Sequence, residues 1–150
     1  MIAIIDYDAG NLKSVEKAFA FLGQETKITR CREEILNADK VVLPGVGSFG
    51  DAMERLHQYE LVPVIQDVVK QGTPFLGICL GLQLLFEKSL EYGEHEGLGL
   101  LKGSVVPMEG TIPENLKIPH IGWNALHFAR SSGLFKYINE NDCVYFVHSY

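Results

Sequence analysis

The stretch Thr73-Pro-Phe-Leu-Gly-Ile-Cys-Leu-Gly-Leu-Gln-Leu-Leu-Phe86 decides the fold of this chain. An apolar run of strand type ends at Ile78, a single cysteine, Cys79, follows, and a helix-forming run begins at once. Gly77 and Gly81 flank the cysteine at the spacing of a nucleophile elbow, with sulfur in place of the serine oxygen. Such a turn strains the nucleophile's backbone, and side chains at the flanking positions would collide. The helix N-terminus beside the sulfur favours thiolate, the reactive form. The alternative is a buried, inert thiol, which is common for free cysteine.

A second loop supports the reactive interpretation. Residues 40–43 form an apolar strand pattern, and Pro44-Gly-Val-Gly-Ser48 follows before a helical stretch. A glycine-rich loop at a strand's carboxyl end can present backbone N–H groups, as an oxyanion hole requires. Pro44 fixes φ on one side, while Gly45 and Gly47 leave the peptides between them free to rotate. The alternative is a structural turn, since the loop lacks the Lys-Ser/Thr of a P-loop and the third glycine of a dinucleotide fingerprint.

Together the two motifs resemble the class I (triad-type) glutamine amidotransferases. Two further stretches, Lys117-Ile-Pro-His-Ile-Gly-Trp-Asn124 and Tyr145-Phe-Val-His-Ser-Tyr150, narrow the resemblance to the glutaminase subunits of imidazole glycerol phosphate synthases. The opening Ile4-Ile-Asp-Tyr-Asp-Ala-Gly-Asn-Leu12 also matches, so the resemblance covers the whole chain.

The resemblance implies a glutaminase that hydrolyses glutamine to glutamate and ammonia, with Cys79 as the nucleophile. Ammonia would pass to a (β/α)₈-barrel cyclase subunit in a heterodimer, which makes imidazole glycerol phosphate in histidine biosynthesis. Neither a metal nor an organic cofactor is implied. The resemblance also assigns roles to other residues. The oxyanion hole would be formed by Gly45, Val46, Gly47 and Leu80, and glutamine would be bound by Gln83, Glu91, Ser149 and Tyr150. The partner interface would include Asn11 and Trp123.

Several of these candidates have plainer interpretations. Gln83 lies one helical turn after the cysteine and can face the same pocket. Glu91, without the resemblance, would be a solvated charge at a helix end, and Trp123 would be an ordinary core tryptophan. His148, a strand histidine, is more often a structural residue than a catalytic base. Cys31 and Cys143 have no comparable context, and no spacing of side chains suits zinc.

Alternating strand and helix patterns fill the first half of the chain, which predicts an α/β fold built on an open, mostly parallel sheet with helices on both faces. The loops that follow the strands would then share one edge, where such sheets bind ligands. Past Phe86 a loop-like stretch at 92–99 and three short strand candidates, 103–106, 121–128 and 143–148, predict a mixed or antiparallel second half.

The length, net charge and cysteine content of the chain exclude several classes of protein. The 150 residues suit one domain, so 1–150 is predicted to be a single amidotransferase domain. A formal net charge of −6 argues against a nucleic-acid surface, and no apolar run is long enough to span a membrane. Three unclustered cysteines and an N-terminus without a signal sequence predict a cytoplasmic protein.

By resemblance, the family continues past Tyr150 and completes its catalytic triad there with a His-x-Glu motif. None of the five histidines lies in such a motif, so we expect the 150 residues to lack the base, lack the C-terminal part of the domain and be inactive alone. Two other functions stay open: a subunit of a different synthase, such as a sugar-amidating one, and a non-catalytic scaffold.

Overall fold

The computed structural model describes residues 1–150, which form two compact units, Met1–Val106 and Pro107–Tyr150. The prediction that 1–150 is a single domain stays a prediction. None of the helices is long and apolar enough to cross a membrane.

The first unit is built on a four-stranded parallel sheet in the order β2-β1-β3-β4. Its strands are β1 (Ile2–Ile5), β2 (Thr26–Thr29), β3 (Lys40–Gly45) and β4 (Phe75–Cys79). The helices between and after them are α1 (Leu12–Phe21), α2 (Arg32–Leu36), α3 (Phe49–Gln58), α4 (Leu61–Lys70) and α5 (Leu80–Gln83). The predicted parallel sheet is confirmed, with boundaries shifted by one or two residues at most elements.

Both faces of this sheet are covered, as predicted. Ile2, Ile4 and Val42 lie on one face, where α1 packs against them. Ala3, Ile5, Val41 and Leu43 alternate onto the opposite face and are fully buried. The helices α3 and α4 bury their own apolar stripes, α4 contacts both α2 and α3, and α2 contacts β1. A parallel sheet buried on two faces explains why its strands are nearly continuous apolar runs.

The rest of the first unit is a small mixed sheet, ordered β6-β5-β7. It consists of β5 (Phe86–Ser89), β6 (His95–Glu96) and β7 (Leu101–Val105), with β5 antiparallel to β6 and parallel to β7. The mixed pairing confirms the predicted change of pattern past Phe86. The predicted loop over 92–99 is wrong in one detail, because it contains β6.

The second unit contains an antiparallel hairpin of β8 (His120–Ala125) and β9 (Cys143–His148). The register pairs Ile121 with Val147 and Trp123 with Tyr145, so these four side chains share one face of the ribbon. A short 3₁₀ turn at Gly133–Phe135 lies in the connection, where the Phe135 ring stacks on Phe128 at 4.4 Å.

Candidate active site

Cys79 lies at the carboxyl end of β4 with a backbone that amino acids other than glycine rarely adopt. Its φ is 56° and its ψ is −119°, and its side chain is exposed. Strain of this kind, which costs on the order of 1–3 kcal/mol, persists where the surrounding structure imposes it and is concentrated at functional sites. The turn therefore has the geometry of a nucleophile elbow. The thiol is therefore not buried, and its reactivity stays a prediction.

The two glycines that flank the cysteine are required by close backbone contacts. A Cβ added to Gly81 would lie 1.8 Å from the carbonyl oxygen of Leu43, and one added to Gly77 would lie 2.6 Å from the Cα of Leu82. Real Cβ atoms essentially never approach other atoms within 3.0 Å. The steric reason predicted for this spacing is confirmed.

The helix after the cysteine is shorter than the sequence indicated. It is a single turn, α5, and Leu84 and Leu85 then bury their side chains before β5 begins. A one-turn helix aligns few peptide dipoles, so its N-terminus adds little positive charge near the sulfur. The dipole of α5 therefore contributes less positive charge at Cys79 than the sequence predicted.

The glycine loop lies directly beside the nucleophile. The register of β3 and β4 pairs Gly45 with Cys79, so the carboxyl ends of the two strands coincide. A Cβ on Gly45 would lie 2.7 Å from the backbone nitrogen of Gly81 and 2.9 Å from the Cβ of Leu80. The two motifs, 34 residues apart in sequence (79 − 45), therefore form one site. Leu80 is buried and its backbone N–H directly follows the nucleophile.

The two glycines of this loop have different surroundings. Gly45 is enclosed and belongs to β3. Gly47 has a φ of 96°, follows the exposed Val46, and has no atom within 4 Å of the position that a Cβ would take. The free rotation expected of the peptides between the two glycines stays a prediction, with more open space at Gly47 than at Gly45.

Glu91 lies beside this loop, and it is not the solvated charge that its sequence context alone suggested. Its Oε2 accepts a hydrogen bond of 2.7 Å from the backbone N–H of Phe49, the first residue of α3. Its own N–H donates to the Oγ of Ser89 at 3.1 Å. Glu91 is half-buried, and its carboxylate caps the N-terminus of α3. Gln83, also half-buried, ends α5 one turn after the nucleophile.

Tyr7 is a site residue that our interpretation of the sequence missed, although the opening motif contains it. Its side chain is fully buried, and its hydroxyl donates a hydrogen bond of 2.9 Å to the carbonyl oxygen of Pro44. Burial raises its pKa to about 12, with Arg55 lowering and Cys79 further raising it. No spacing rule relates a tyrosine after β1 to a proline in β3, so only the folded chain reveals the contact.

Asp8, the residue after Tyr7, accepts hydrogen bonds from two arginines and a tyrosine. Its carboxylate accepts from Arg30 at 2.6 Å and from the hydroxyl of Tyr59, and its backbone oxygen accepts from Arg55. Arg30 also reaches Asp6 at 2.8 Å and stacks on the Tyr59 ring at 4.1 Å. This cluster pins the loop after β1, which lines a cavity of about 370 Å³ together with the glycine loop.

We expect the substitution Asp8→Asn to lower stability at neutral pH and to have little effect in acid. Hydrogen bonds from Arg30, then from Tyr59, lower the pKa of this carboxyl from its ordinary 3.8. A group whose pKa is lower in the folded state stabilises the fold above its unfolded pKa, and that contribution is lost as pH falls through the folded value. Asparagine tolerates the φ of 60° found here, so the backbone is conserved. Urea midpoints of both proteins should differ at pH 7 and converge below about pH 4. A difference independent of pH would contradict the assignment.

The remaining predicted residues have local environments of their own. Asn11 caps α1, where its side chain accepts a hydrogen bond from the Ser14 N–H at 3.4 Å. Trp123 is 70% exposed and packs edge-on against Tyr145, so it is not a core tryptophan. Ser149 and Tyr150 are half-buried in the second unit, where the Ser149 oxygen accepts from the Met108 N–H.

The chain is similar to several known proteins. The family model described as "Glutamine amidotransferase class-I" matches residues 3–150. A protein of Lactococcus lactis subsp. lactis (strain IL1403), named imidazole glycerol phosphate synthase subunit HisH, is 55% identical over 149 residues, 99% of this chain and 72% of that protein. A protein of the same name from Aquifex aeolicus (strain VF5) is 53% identical over 98% of this chain and 70% of its own length. A solved structure, described as a crystal structure of glutamine amidotransferase, superposes with a TM-score of 0.71 at 18% identity, covering 98% of this chain and 71% of that one.

Proposed function

The chain belongs to the class I glutamine amidotransferase family, and from that premise we propose that it is the glutaminase subunit of an imidazole glycerol phosphate synthase. It releases ammonia from glutamine for a cyclase subunit that makes imidazole glycerol phosphate in histidine biosynthesis. Relatives with that subunit name match nearly the whole chain at 55% and 53% identity. The sugar-amidating alternative has no comparable support.

Cys79 is proposed as the nucleophile, and the observation that carries the proposal is its pairing with Gly45 across the β3–β4 ladder. The Cys79 thiolate attacks the side-chain carbonyl carbon of glutamine, and the carbonyl oxygen becomes an oxyanion. In this proposal, backbone N–H groups of Leu80 and of the loop at Val46 and Gly47 stabilise that charge. Ammonia leaves with a proton from the family's histidine, and water then releases glutamate from the thioester.

Substrate binding is proposed for Gln83 and Glu91, together with two residues that the family resemblance adds. Gln83 follows the nucleophile by one turn, and Glu91 lies at the start of α3 beside the glycine loop. The family resemblance adds Ser149 and Tyr150, which would contact the amino-acid end of glutamine. The strained backbone of Cys79 argues against a non-catalytic scaffold, because strain without chemistry would only lower stability.

The partner is proposed to be a (β/α)₈-barrel cyclase that forms a heterodimer with this chain in the cytoplasm. The exposed apolar face of the β8–β9 hairpin supports an interface there: Ile121, Trp123, Tyr145 and Val147 are each more than half exposed. Contiguous apolar surface of this kind marks protein contacts. Asn11 is the second interface residue that the resemblance suggests.

Because the 150 residues alone are expected to be inactive, the test is glutamate release by the full-length subunit, with the family's segment after Tyr150, assembled with its cyclase; all activity measurements below use this subunit. We expect release to rise at least about tenfold when the cyclase's nucleotide ligand is added, because one oxyanion donor is worth roughly 100- to 1,000-fold in rate. Gly47→Ala should blunt this stimulation more than it weakens glutamine binding, since Gly47 needs a positive φ. Gly72→Ala is the matched control, with a positive φ and open surroundings at the end of α4. Copurification with a different synthase, or release that the ligand leaves unchanged, would contradict the proposal.

A further inference from the structure

The buried hydroxyl of Tyr7 connects the loop after β1 to the glycine loop after β3. It donates to the Pro44 carbonyl oxygen at 2.9 Å across a sequence separation of 37 residues. The side chain has no exposed area, so water cannot replace the bond when it is removed. Its burial and its hydrogen bond to the glycine loop indicate that Tyr7 has a specific role at the site.

The hydroxyl lies in a closely packed part of the site. A Cβ at Gly45 would lie 2.8 Å from the Tyr7 oxygen and 2.7 Å from the backbone nitrogen of Gly81. The Tyr7 oxygen and the start of α5 therefore enclose Gly45 on the side where a side chain would project. Any rotation of the Pro44–Gly45 peptide would have to displace the tyrosine.

The tyrosine itself is held in place and keeps its proton. The following residue, Asp8, is bound by Arg30, Arg55 and Tyr59, which fixes the backbone on the carboxyl side of the ring. Because burial raises the pKa of Tyr7 to about 12, the hydroxyl remains a donor throughout the neutral range. The hydroxyl is therefore able to donate to the Pro44 carbonyl at every pH at which the enzyme would work.

We propose that Tyr7 is a positioning residue for the oxyanion hole. Its hydroxyl fixes the inner half of the glycine loop at Pro44 and Gly45, so that only Val46 and Gly47 change orientation during turnover. This inference rests on the proposed glutaminase function and adds the residue that sets where the loop hinges. Tyr7 touches neither the substrate nor the reacting sulfur in this scheme, and it acts through the backbone of Pro44.

The test is Tyr7→Phe in the subunit assembled with its synthase partner. The substitution removes one oxygen atom and leaves the Pro44 carbonyl without its buried donor. We expect kcat for glutamine hydrolysis to fall about tenfold or more, within the roughly 100- to 1,000-fold that one misplaced oxyanion donor costs. The KM for glutamine should stay within about twofold, because ground-state binding does not use the oxyanion donors. Product formation from added ammonia should be unchanged.

Three further proteins separate positioning from general destabilisation. Tyr7→p-aminophenylalanine retains an N–H donor at the ring position and should recover most of the lost kcat. Val68→Ala, a buried truncation in α4, should lower stability without changing kcat, and Tyr137→Phe, on an 88% exposed ring, should behave as wild type. Rates are normalised to the amount of assembled complex recovered by gel filtration from each sample, so a partly unfolded variant still reports.

The two proposals fail differently. If the wild-type complex releases no glutamate from glutamine, the proposed function is wrong. If the wild type is active and Tyr7→Phe matches its kcat, or the p-aminophenylalanine variant recovers nothing, the positioning role alone is overturned. The positioning role would also be overturned if Val68→Ala lowered kcat as much as Tyr7→Phe does when the two variants lose the same stability.

Discussion

Replacement of Cys79 by serine is expected to abolish glutamine-dependent turnover by the assembled synthase while ammonia-dependent turnover survives. Serine keeps the shape of the side chain and the elbow, but its hydroxyl does not ionise near neutral pH as a thiol can. Loss of the nucleophile in a comparable hydrolytic site costs on the order of 10⁴- to 10⁶-fold in kcat. The measurement is product formation with glutamine and, separately, with an ammonium salt.

The other two cysteines provide matched controls for this result. Cys31 precedes α2 and Cys143 begins β9; both thiols are exposed and both lie in an ordinary backbone conformation. Cys31→Ser and Cys143→Ser should therefore retain glutamine-dependent activity. Retained activity in Cys79→Ser, or equal inactivity in all three variants, would refute the assignment of the nucleophile.

Gly81→Ala is expected to have the largest effect on stability. The added methyl carbon would lie 1.8 Å from the Leu43 oxygen and 2.8 Å from its carbonyl carbon. Both atoms belong to the backbone of β3, so no side-chain rotation relieves the contact, and α5 must move away from the sheet. We expect the free energy of unfolding to fall by about 3 kcal/mol or more, at or above the usual upper limit for overpacking. Glutamate release should be lost as well, since Leu80 and Cys79 move with the helix.

Gly133→Ala is the control for the change from glycine to alanine itself. Its Cβ would have no neighbour within 4 Å, and its φ lies outside the range that favours glycine. Its effect should stay within about 0.5 kcal/mol, as for most surface substitutions. Urea denaturation of both variants measures the difference. A Gly81→Ala protein as stable as Gly133→Ala would mean that α5 does not approach β3 as closely as the 1.8 Å contact requires.

The first half of the fold followed well from local patterns, because its strands are continuous apolar runs and its helices have clear apolar stripes. The parallel sheet and the family are confirmed. The region after Cys79 was harder to predict. The predicted helix stops at Gln83, and β5 and β6 were missed because Phe86–Ser89 and His95–Glu96 are short and largely polar. Their pairing with each other and with β7 decides their conformation, which no local window contains.

Some residues of the candidate site could likewise be predicted from the sequence, and others could not. Cys79 and its flanking glycines were predictable from sequence, because the spacing of a nucleophile elbow lies within five consecutive residues. The contact that excludes a side chain at Gly81, with the Leu43 oxygen of β3, is visible only in the folded chain. The roles assigned to Gln83, Ser149 and Tyr150 stay predictions based on resemblance. The half-buried position of Glu91 against α3 and the exposure of Trp123 became clear only in the folded chain.

Apolar periodicity and glycine spacing are properties of neighbouring residues, so they were enough to predict an α/β sheet with a cysteine elbow and a glycine loop at strand ends. The pairing of Gly45 with Cys79, the hydrogen bond from Tyr7 to Pro44 and the open surroundings of Gly47 became visible only in the folded chain. Those relations depend on strand register and on contacts between residues far apart in the chain. Register between parallel strands is set by how side chains pack on both faces of the sheet, and that information exists only once the chain has folded.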